Sequence, residues 1–219
     1  MVAGGSGRRF GGPKQYLHLA GRPVAAWSVD AARSASDGVV LVVPADDLRP
    51  GGADGRGGSP VRDLGADRIV AGGATRSDSV RAGLAAVPAD ADIIVVHDAA
   101  RPLAGPALFS AVVDAVRSGG ADGAIPVVPV ADTLKRVADG WVRETVDREG
   151  LVSVQTPQAF VAATLRAAHR GAGEGTDDAS LLERVGATVR TVDGDPRNVK
   201  LTRPEDLRMA ESMIGPVAR

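Results

Sequence analysis

The stretch Ile93-Ile94-Val95-Val96-His97-Asp98-Ala99-Ala100-Arg101-Pro102 places a short apolar run directly before a charged, turn-forming segment. The run is continuous and β-branched, which is typical of a strand covered on both faces in a parallel sheet. Similar runs occupy residues 39–43, 68–70, 124–128 and 188–192. Helical patterns occur between them, at residues 23–35, 75–87, 106–117 and 177–185. This alternation predicts an α/β fold: a Rossmann-like, mostly parallel sheet with helices on both faces.

Two segments interrupt that alternation. Residues 131–150 alternate in polarity on either side of Asp139-Gly140, which predicts a β-hairpin that projects as an arm. Such an arm with an exposed Trp141 often makes an oligomer contact. We therefore expect a single domain over residues 1–219, with 131–150 as its dimerisation arm. The Gly/Pro-rich residues 49–60 predict a mobile surface loop.

The composition excludes several classes of partner and site. The 219-residue chain is 44% hydrophobic, has a formal net charge of −1 and contains no cysteine. The near-zero charge gives no bulk attraction to nucleic acid or to membrane surfaces. Without cysteine there is no disulfide framework and no thiolate site. No apolar run approaches the ~18 residues of a membrane span. We therefore expect a cytoplasmic protein without a nucleic-acid or membrane partner.

A glycine-rich loop lies at the start of the chain, Ala3-Gly4-Gly5-Ser6-Gly7-Arg8-Arg9, followed by Pro13-Lys14-Gln15. Backbone N–H groups in such a loop can cradle phosphate, while Arg and Lys neutralise its charge. The structural alternative is a flexible glycine-rich terminus. The loop lacks the third spaced glycine of the dinucleotide fingerprint and the acidic residue about 20 positions on. This difference favours a nucleoside triphosphate over NAD.

Ligands of open α/β sheets bind beyond the carboxyl ends of the strands, so the residues that follow each strand are candidates. Gly72-Gly73 follow one predicted strand, and Asp98 follows another in a position suited to Mg²⁺. Lys200 is one of only three lysines among 26 basic residues, which favours a need for a compact ammonium. The structural alternatives are a tight turn, a capping Asp paired with Arg101, and a solvated lysine. His97 is more typical of a packed or capping histidine.

Known catalytic motifs of other classes do not occur. The chain has no Walker Gly-Lys-Ser/Thr motif, no HExxH and no Ser-His-Asp ordering. In contrast, an ordered set of motifs from residue 3 to about 210 resembles the 2-C-methyl-D-erythritol 4-phosphate cytidylyltransferase family of the non-mevalonate isoprenoid pathway. The motifs are AGGSGRR…PKQ, GGATRSDSV, VHDAARP, DTLKR, ETVDREGL, QTPQAF, TDDAS and NVKLTRPEDL. Ribitol-5-phosphate cytidylyltransferases share many of them.

The resemblance implies transfer of CMP from CTP to 2-C-methyl-D-erythritol 4-phosphate, giving 4-diphosphocytidyl-2-C-methyl-D-erythritol and pyrophosphate. It implies Mg²⁺ or another divalent cation, held by Asp98, and a homodimer formed through the arm. The residues that match the family's catalytic positions are Arg9, Lys14 and Lys200. The residues that match its CTP-binding positions are Ala3, Gly4, Gly5, Gly7, Gly72, Gly73, Ser79, Asp98 and Ala99. The residues that match its acceptor-binding positions are Arg101, Thr133, Asp147, Arg148, Thr156 and Thr176.

One departure from the family pattern leaves other functions open. Family members place an apolar strand before the glycine loop, whereas only Met1-Val2 precedes Ala3 here. Either the start is assigned too far downstream, or the first strand is missing and the chain is a nucleotide-binding protein with weak activity. A ribitol-5-phosphate cytidylyltransferase, or a guanylyl- or uridylyltransferase of similar fold, are the enzymatic alternatives.

Overall fold

The computed structural model describes residues 1–4, 10, 12–49, 61, 64–171 and 173–214. The predicted loop at residues 49–60 lies outside these residues from position 50 onward. The helices within the described residues are α1 (Val24–Arg33), α2 (Arg76–Ala86), α3 (Pro106–Arg117), α4 (Ala162–Arg170), α5 (Ala179–Arg184) and α6 (Pro204–Ile214). None of these helices is long and apolar enough to cross a membrane.

The strands divide into a central sheet and two small hairpins. They are β1 (His18–Leu19), β2 (Arg22–Pro23), β3 (Val40–Val43), β4 (Arg68–Ala71), β5 (Ile93–Val96), β6 (Gly123–Pro129), β7 (Leu134–Ala138), β8 (Trp141–Val146), β9 (Val152–Val154), β10 (Gln158–Val161) and β11 (Val189–Asp193). Pairs β3–β4 and β6–β11 are parallel, whereas β10 runs antiparallel to both β5 and β6. The predicted α/β fold with a mostly parallel sheet is confirmed.

Met1–Ala3 connect the two halves of the sheet. Val2 forms parallel bridges to Val42 on one side and to Asp98 on the other. The N–H groups of Val2 and Ala3 donate to the carbonyls of His97 (2.8 Å) and Val42 (2.7 Å). These residues therefore supply the backbone pairing at the centre of the sheet, in the place of the first strand whose absence was one of the two alternatives that the sequence left open.

Helices cover both faces of the sheet, as the sequence predicts. Alternate side chains of β5 point to opposite faces: Ile94 and Val96 pack with α2, α4 and α5, while Ile93 and Val95 pack on the side of α3. Helix α1 lies on the same side as α3, where Val29 joins Phe109 in one buried cluster. The sheet is therefore buried on both faces, which explains its continuous apolar runs.

Local signals place most helix ends. Thr75 caps α2 with a complete capping box, because its side chain accepts from the Asp78 N–H and Asp78 accepts from the Thr75 N–H. Pro106 occupies the first turn of α3, where its missing N–H costs nothing. The predicted helix at 177–185 is shorter, at Ala179–Arg184, because Asp177 accepts from the Ser180 N–H within the turn that precedes it.

The predicted arm is a two-stranded hairpin. Strands β7 and β8 are joined by Asp139 and Gly140, both with positive φ (54° and 80°), as a tight two-residue hairpin turn requires. The arm packs little apolar surface within its own chain: Trp141 is 71% exposed and Val142 is 63% exposed. An unburied apolar surface of this kind is typical of a partner contact, and that the arm makes one stays a prediction.

Gly123 lies where β6 passes the fully buried ring of Phe160. A Cβ added at residue 123 would lie 2.5 Å from the Phe160 Cδ1 atom, closer than packed carbon atoms approach. We expect Gly123→Ala to lower the free energy of unfolding by about 1–3 kcal/mol, the usual cost of overpacking a core. Urea denaturation measures it. The control is Gly38→Ala, whose nearest neighbouring atom would be 3.7 Å away. Equal stability of the two variants would contradict this packing.

Candidate active site

A cleft of about 640 Å³ opens at the carboxyl ends of the parallel strands. Its walls come from the Met1–Ala3 segment, the start of α2, the turn after β5 and the segment before α6. Eight predicted site residues line it: Ala3, Gly4, Lys14, Gly73, Ser79, Asp98, Ala99 and Lys200. The fold therefore brings residues from distant parts of the sequence to one concave surface, where a substrate can bind.

One wall of the cleft is built from glycines packed around Ser79. The Ser79 hydroxyl donates to the Thr75 carbonyl (3.0 Å) and accepts from the Gly73 N–H (3.2 Å). A Cβ at Gly72 would lie 2.8 Å from Ser79 Oγ, and one at Gly4 would lie 3.2 Å from it. A side chain at residue 72 would displace the Ser79 hydroxyl, and one at residue 4 would crowd it. The backbone of Gly4 and Gly73 lines this wall, where a planar ligand can approach it closely.

Asp98 is the acidic residue among the described residues that line the cleft. Its Oδ2 accepts from Lys200 Nζ at 2.6 Å, and its Oδ1 lies 3.4 Å from both Nε and Nη2 of Arg76. Burial disfavours its charge, but the Lys200 and Arg76 cations outweigh burial and hold the pKa of the Asp98 carboxyl well below its usual range. Asp98 is therefore an ionised, oxygen-rich group at the cleft surface.

Arg76 is a site residue that the sequence analysis missed. Its Nη2 lies 2.8 Å from Oδ2 of Asp178, whose side chain is 1% exposed and whose Oδ1 faces His169 Nε2 at 2.9 Å. Burial works against the Arg76 charge, but Asp178 and Asp98 outweigh it and raise the pKa of the guanidinium. The available signal was a cation at the first position of a helix, where the helix dipole disfavours it.

The two predicted catalytic lysines, Lys14 and Lys200, are connected through Leu201. Lys14 Nζ donates to the carbonyl of Leu201, the residue that follows Lys200. Leu201 is fully buried in a small cluster that also contains Leu19 from β1 and Ala210 from α6. Because this cluster joins the hairpin after Lys14 to helix α6, it fixes both ammonium groups at one end of the cleft.

Thr156 lies beneath the cleft rather than on its surface. Its side-chain oxygen accepts from the Asp98 N–H (3.1 Å) and lies 3.0 Å from Nδ1 of His97. Burial lowers the pKa of His97 to about 3, so the ring is neutral, and it packs against Phe109 with ring centroids 5.0 Å apart. His97 is the packed histidine that the sequence favoured. That Thr156 contacts the acceptor stays a prediction.

Arg101 is likewise tied to the protein backbone. Its Nη1 donates to the Asn198 carbonyl at 2.7 Å, and its Nη2 lies 3.5 Å from the Val154 carbonyl. These bonds link the turn after β5 to β9 and to the segment that carries Lys200. The Arg101 N–H donates to the Asp98 carbonyl at 3.0 Å, but within the described residues the carboxylate of Asp98 pairs with Arg76 and Lys200 rather than with the Arg101 guanidinium.

Comparison with known proteins decides the family. The family profile described as IspD: 2-C-methyl-D-erythritol 4-phosphate cytidylyltransferase matches residues 1–215. The chain belongs to this family. It is 44% identical over 219 residues to the enzyme of that name from Nocardia farcinica, covering 98% of this chain and 92% of the relative.

Other relatives agree in sequence and in fold. A bifunctional enzyme IspD/IspF from Granulibacter bethesdensis is 44% identical over 215 residues, and the match covers 96% of this chain but 54% of that protein. The chain thus spans about half the length of this bifunctional relative. The crystal structure of the 2-C-methyl-D-erythritol 4-phosphate cytidylyltransferase from Thermus thermophilus superimposes with a TM-score of 0.80 at 34% identity, over 97% of this chain and 96% of that one.

The remaining predicted residues of this family member lie away from the cleft or outside the described residues. Thr133, Asp147 and Arg148 are exposed at the base of the arm, where Arg148 donates to the carbonyls of Val130 and Ala131. Thr176 is exposed in the turn before α5. Gly5, Gly7 and Arg9 fall outside the described residues. The structure leaves the roles assigned to all of these residues as predictions.

Asp98 is the candidate protein ligand at the cleft for the predicted divalent cation. No group of three or more His, Cys, Asp or Glu side chains comes together to hold a metal within the described residues. Mg²⁺ at nucleotide sites is commonly held by one or two carboxylates together with substrate phosphates. The ionised Asp98 carboxylate at the cleft surface fits that arrangement, in which the nucleotide supplies the other oxygens.

Replacing the Thr156 hydroxyl tests the support beneath Asp98. In Thr156→Val the buried Asp98 N–H loses its acceptor, so we expect the free energy of unfolding to fall by about 1–3 kcal/mol. Thr156→Ser keeps the hydroxyl and loses one methyl group, which costs about 0.8 kcal/mol. Urea denaturation of both variants makes the comparison. If Thr156→Val is as stable as Thr156→Ser, the hydroxyl does not support Asp98 in this way.

Proposed function

We propose that this chain is a single nucleotidyltransferase domain that transfers CMP from CTP to 2-C-methyl-D-erythritol 4-phosphate and releases pyrophosphate. The observation that carries the proposal is the convergence of Lys14, Lys200 and Asp98 on a glycine-walled cleft in a member of this family. The names of its relatives supply the nucleotide class and the acceptor. The cytoplasmic location expected from the sequence stays a prediction.

The chemistry is an in-line displacement at phosphorus. A phosphate oxygen of the acceptor attacks the α-phosphorus of CTP, and an oxygen–phosphorus bond forms. The bond from the α-phosphorus to the bridging oxygen breaks, and pyrophosphate leaves with that electron pair. A phosphate monoester is already nucleophilic near neutral pH, so the reaction needs no general base. The barrier comes from repulsion between two anions and from charge at the five-coordinate phosphorus.

The protein's contribution is therefore positioning and fixed positive charge. Lys14 and Lys200 supply two ammonium groups at one end of the cleft, and we assign Arg9 the same role on the triphosphate. Asp98 would hold the divalent cation, which neutralises phosphate charge when it is bound. The glycine wall around Ser79 offers backbone donors and acceptors to the base and ribose.

Lys200 and Arg76 contact the same carboxylate but differ in freedom. The Lys200 side chain is 43% exposed and reaches Asp98 by a single ammonium, whereas Arg76 is 25% exposed and is also paired with Asp178. Within the described residues, the partly exposed Lys200 has one ionic contact and the more buried Arg76 has two. We therefore propose that Lys200 leaves Asp98 for a substrate phosphate, while Arg76 stays in place.

We further propose that the arm makes a homodimer in which each acceptor site is shared. The apolar side chains of the arm are exposed, and Thr133, Asp147 and Arg148 directly flank the Leu134–Val146 pair at its base. The match of these three residues to the family's acceptor-binding positions supports contact with the neighbour's acceptor phosphate.

Removing the Lys14 ammonium tests the proposed reaction. Lys14→Met should lower kcat/KM on the order of 10²–10³-fold, as loss of one preorganised donor to the developing charge does. The measurement is pyrophosphate release from CTP with Mg²⁺ and 2-C-methyl-D-erythritol 4-phosphate. The control is Arg33→Met, which removes a basic charge paired with Asp67 at the surface. Near-normal turnover of Lys14→Met would exclude this role.

The same assay distinguishes the alternatives. Pyrophosphate release with ribitol 5-phosphate and none with methylerythritol phosphate would assign the other acceptor. Release with GTP or UTP in place of CTP would assign another nucleotide.

Mixed dimers test the shared site. Arg148→Ala and Lys14→Met each inactivate a different part of a composite site, so a heterodimer of the two variants retains one intact site. We expect co-expressed, differently tagged subunits to recover on the order of half the activity of the unaltered dimer, whereas each variant alone stays low. Verified heterodimers with no recovered activity would contradict sharing of the site across the dimer.

A further inference from the structure

Arg76 stands in an unfavourable place unless something else requires it there. It is the first residue of α2, where the positive end of the helix dipole repels a cation by about 0.3–1 kcal/mol. The capping box of Thr75 and Asp78 already satisfies the helix start without it. A residue that breaks a local rule in an otherwise consistent helix indicates a functional requirement.

The guanidinium joins two carboxylates from different elements. Its Nη2 lies 2.8 Å from Asp178, which directly precedes α5, and 3.4 Å from Asp98 at the end of β5. The shorter contact is to the more deeply buried partner, so Asp178 anchors Arg76 and Asp98 takes the looser contact. A planar guanidinium presents its donors to two carboxylates at fixed angles, whereas the donors of an ammonium rotate.

Asp178 belongs to a turn that is fastened to the same helix end. The Gly175 N–H lies 3.4 Å from Ser77 Oγ on α2, and Gln158 Nε2 donates to Asp177 at 3.0 Å. This turn also carries Thr176, a predicted acceptor-binding residue. The contacts of Arg76 and Ser77 therefore join the acceptor side of the site to its nucleotide side.

We propose that Arg76 is a positioning residue that ties the 175–178 turn to the Asp98 side of the cleft, and that Asp178 acts on the nucleotide site only through Arg76. This inference rests on the proposed function for its substrates. Arg76 and Asp178 take no part in the bonds that form or break, and their contact fixes the geometry of the cleft. Asp178, with its side chain 1% exposed, does not itself reach a ligand.

The variant Asp178→Asn distinguishes a positioning role of Asp178 from a direct effect of its charge on CTP affinity. The substitution removes a negative charge near an anion-binding cleft, so charge alone predicts tighter CTP binding. Loss of the anchor predicts weaker binding, on the order of 10-fold, as when a group that orients a ligand's contact is removed. Isothermal titration of CTP with MgCl₂ and no acceptor measures the affinity. Unchanged or tighter binding by a folded Asp178→Asn variant would overturn the proposal.

A double variant tests whether Asp178 affects CTP binding only through Arg76. If Asp178 acts only through Arg76, Arg76→Met and Arg76→Met/Asp178→Asn should bind CTP equally, within about twofold. A further loss in the double variant, equal to that of Asp178→Asn alone, would overturn the proposal. The matched control is Arg81→Met, which breaks an arginine–carboxylate pair with Asp78 on the same helix but lies outside the cleft. We expect its CTP affinity to equal that of the unaltered chain.

If thermal unfolding shows that Asp178→Asn does not fold, the variant Arg76→Lys tests the proposal instead. The lysine retains one positive charge but lacks the planar fork that holds two carboxylates at fixed angles, so a folded variant should still lose affinity for CTP. Affinity equal to that of the unaltered chain would overturn the proposal.

The failures of the two proposals are distinct. CTP binding without pyrophosphate release by the unaltered chain rejects the reaction and leaves the binding comparison valid. Normal turnover with unchanged CTP binding by Asp178→Asn rejects only the inference.

Discussion

A buried carboxylate between two cations is the interaction on which the site depends. Asp98 is almost fully enclosed, and an ionised carboxylate in that position is costly unless charged partners lie beside it. Lys200 contacts one of its carboxylate oxygens and Arg76 the other. Lys200 belongs to the segment before α6, and Arg76 is the first residue of α2. Their contacts with Asp98 therefore fix both segments relative to the end of β5.

The pairing of the central sheet determines where Asp98 lies in the cleft. Met1–Ala3 pair with β3 and with the turn after β5, and the Ala99 N–H donates to the Val2 carbonyl at 3.0 Å. The same short segment continues into Gly4, which lies against Ser79. The pairing that joins the two halves of the sheet therefore also aligns the nucleotide wall with Asp98, so the stability of the sheet and the geometry of the site are linked.

The local parts of this structure could be predicted from the sequence because their causes are local. Continuous β-branched runs predicted β5 and β6, the Thr75 cap predicted α2, and Asp139-Gly140 predicted the hairpin turn. The antiparallel strand β10 was missed, since Gln158 breaks its apolar pattern. That glutamine is buried because it donates to Asp177, a contact between residues 19 positions apart that no periodicity reveals.

The same reasoning explains which site residues were found. Lys14, Asp98 and Lys200 stand in motifs, and residue type together with a position near the glycine loop or after a strand favoured them as site residues. Arg76 and Asp178 also stand in motifs, but their pairing spans 102 positions and becomes visible only when α2 and α5 pack on one face of the sheet. A sequence identifies residues that can do chemistry, whereas the residues that hold them in position are defined by contacts.

A connected layer of polar groups beneath the cleft shows why the motifs extend beyond the reacting groups. Asn198 Nδ2 lies 2.9 Å from the Thr156 carbonyl and 3.2 Å from Gln155 Oε1, while Arg101 binds the Asn198 carbonyl. Buried polar groups are tolerated when they bond to one another, and such networks hold one arrangement more strictly than apolar packing does. Asn198 lies two residues before Lys200, so this layer fixes the backbone from which the Lys200 ammonium reaches Asp98.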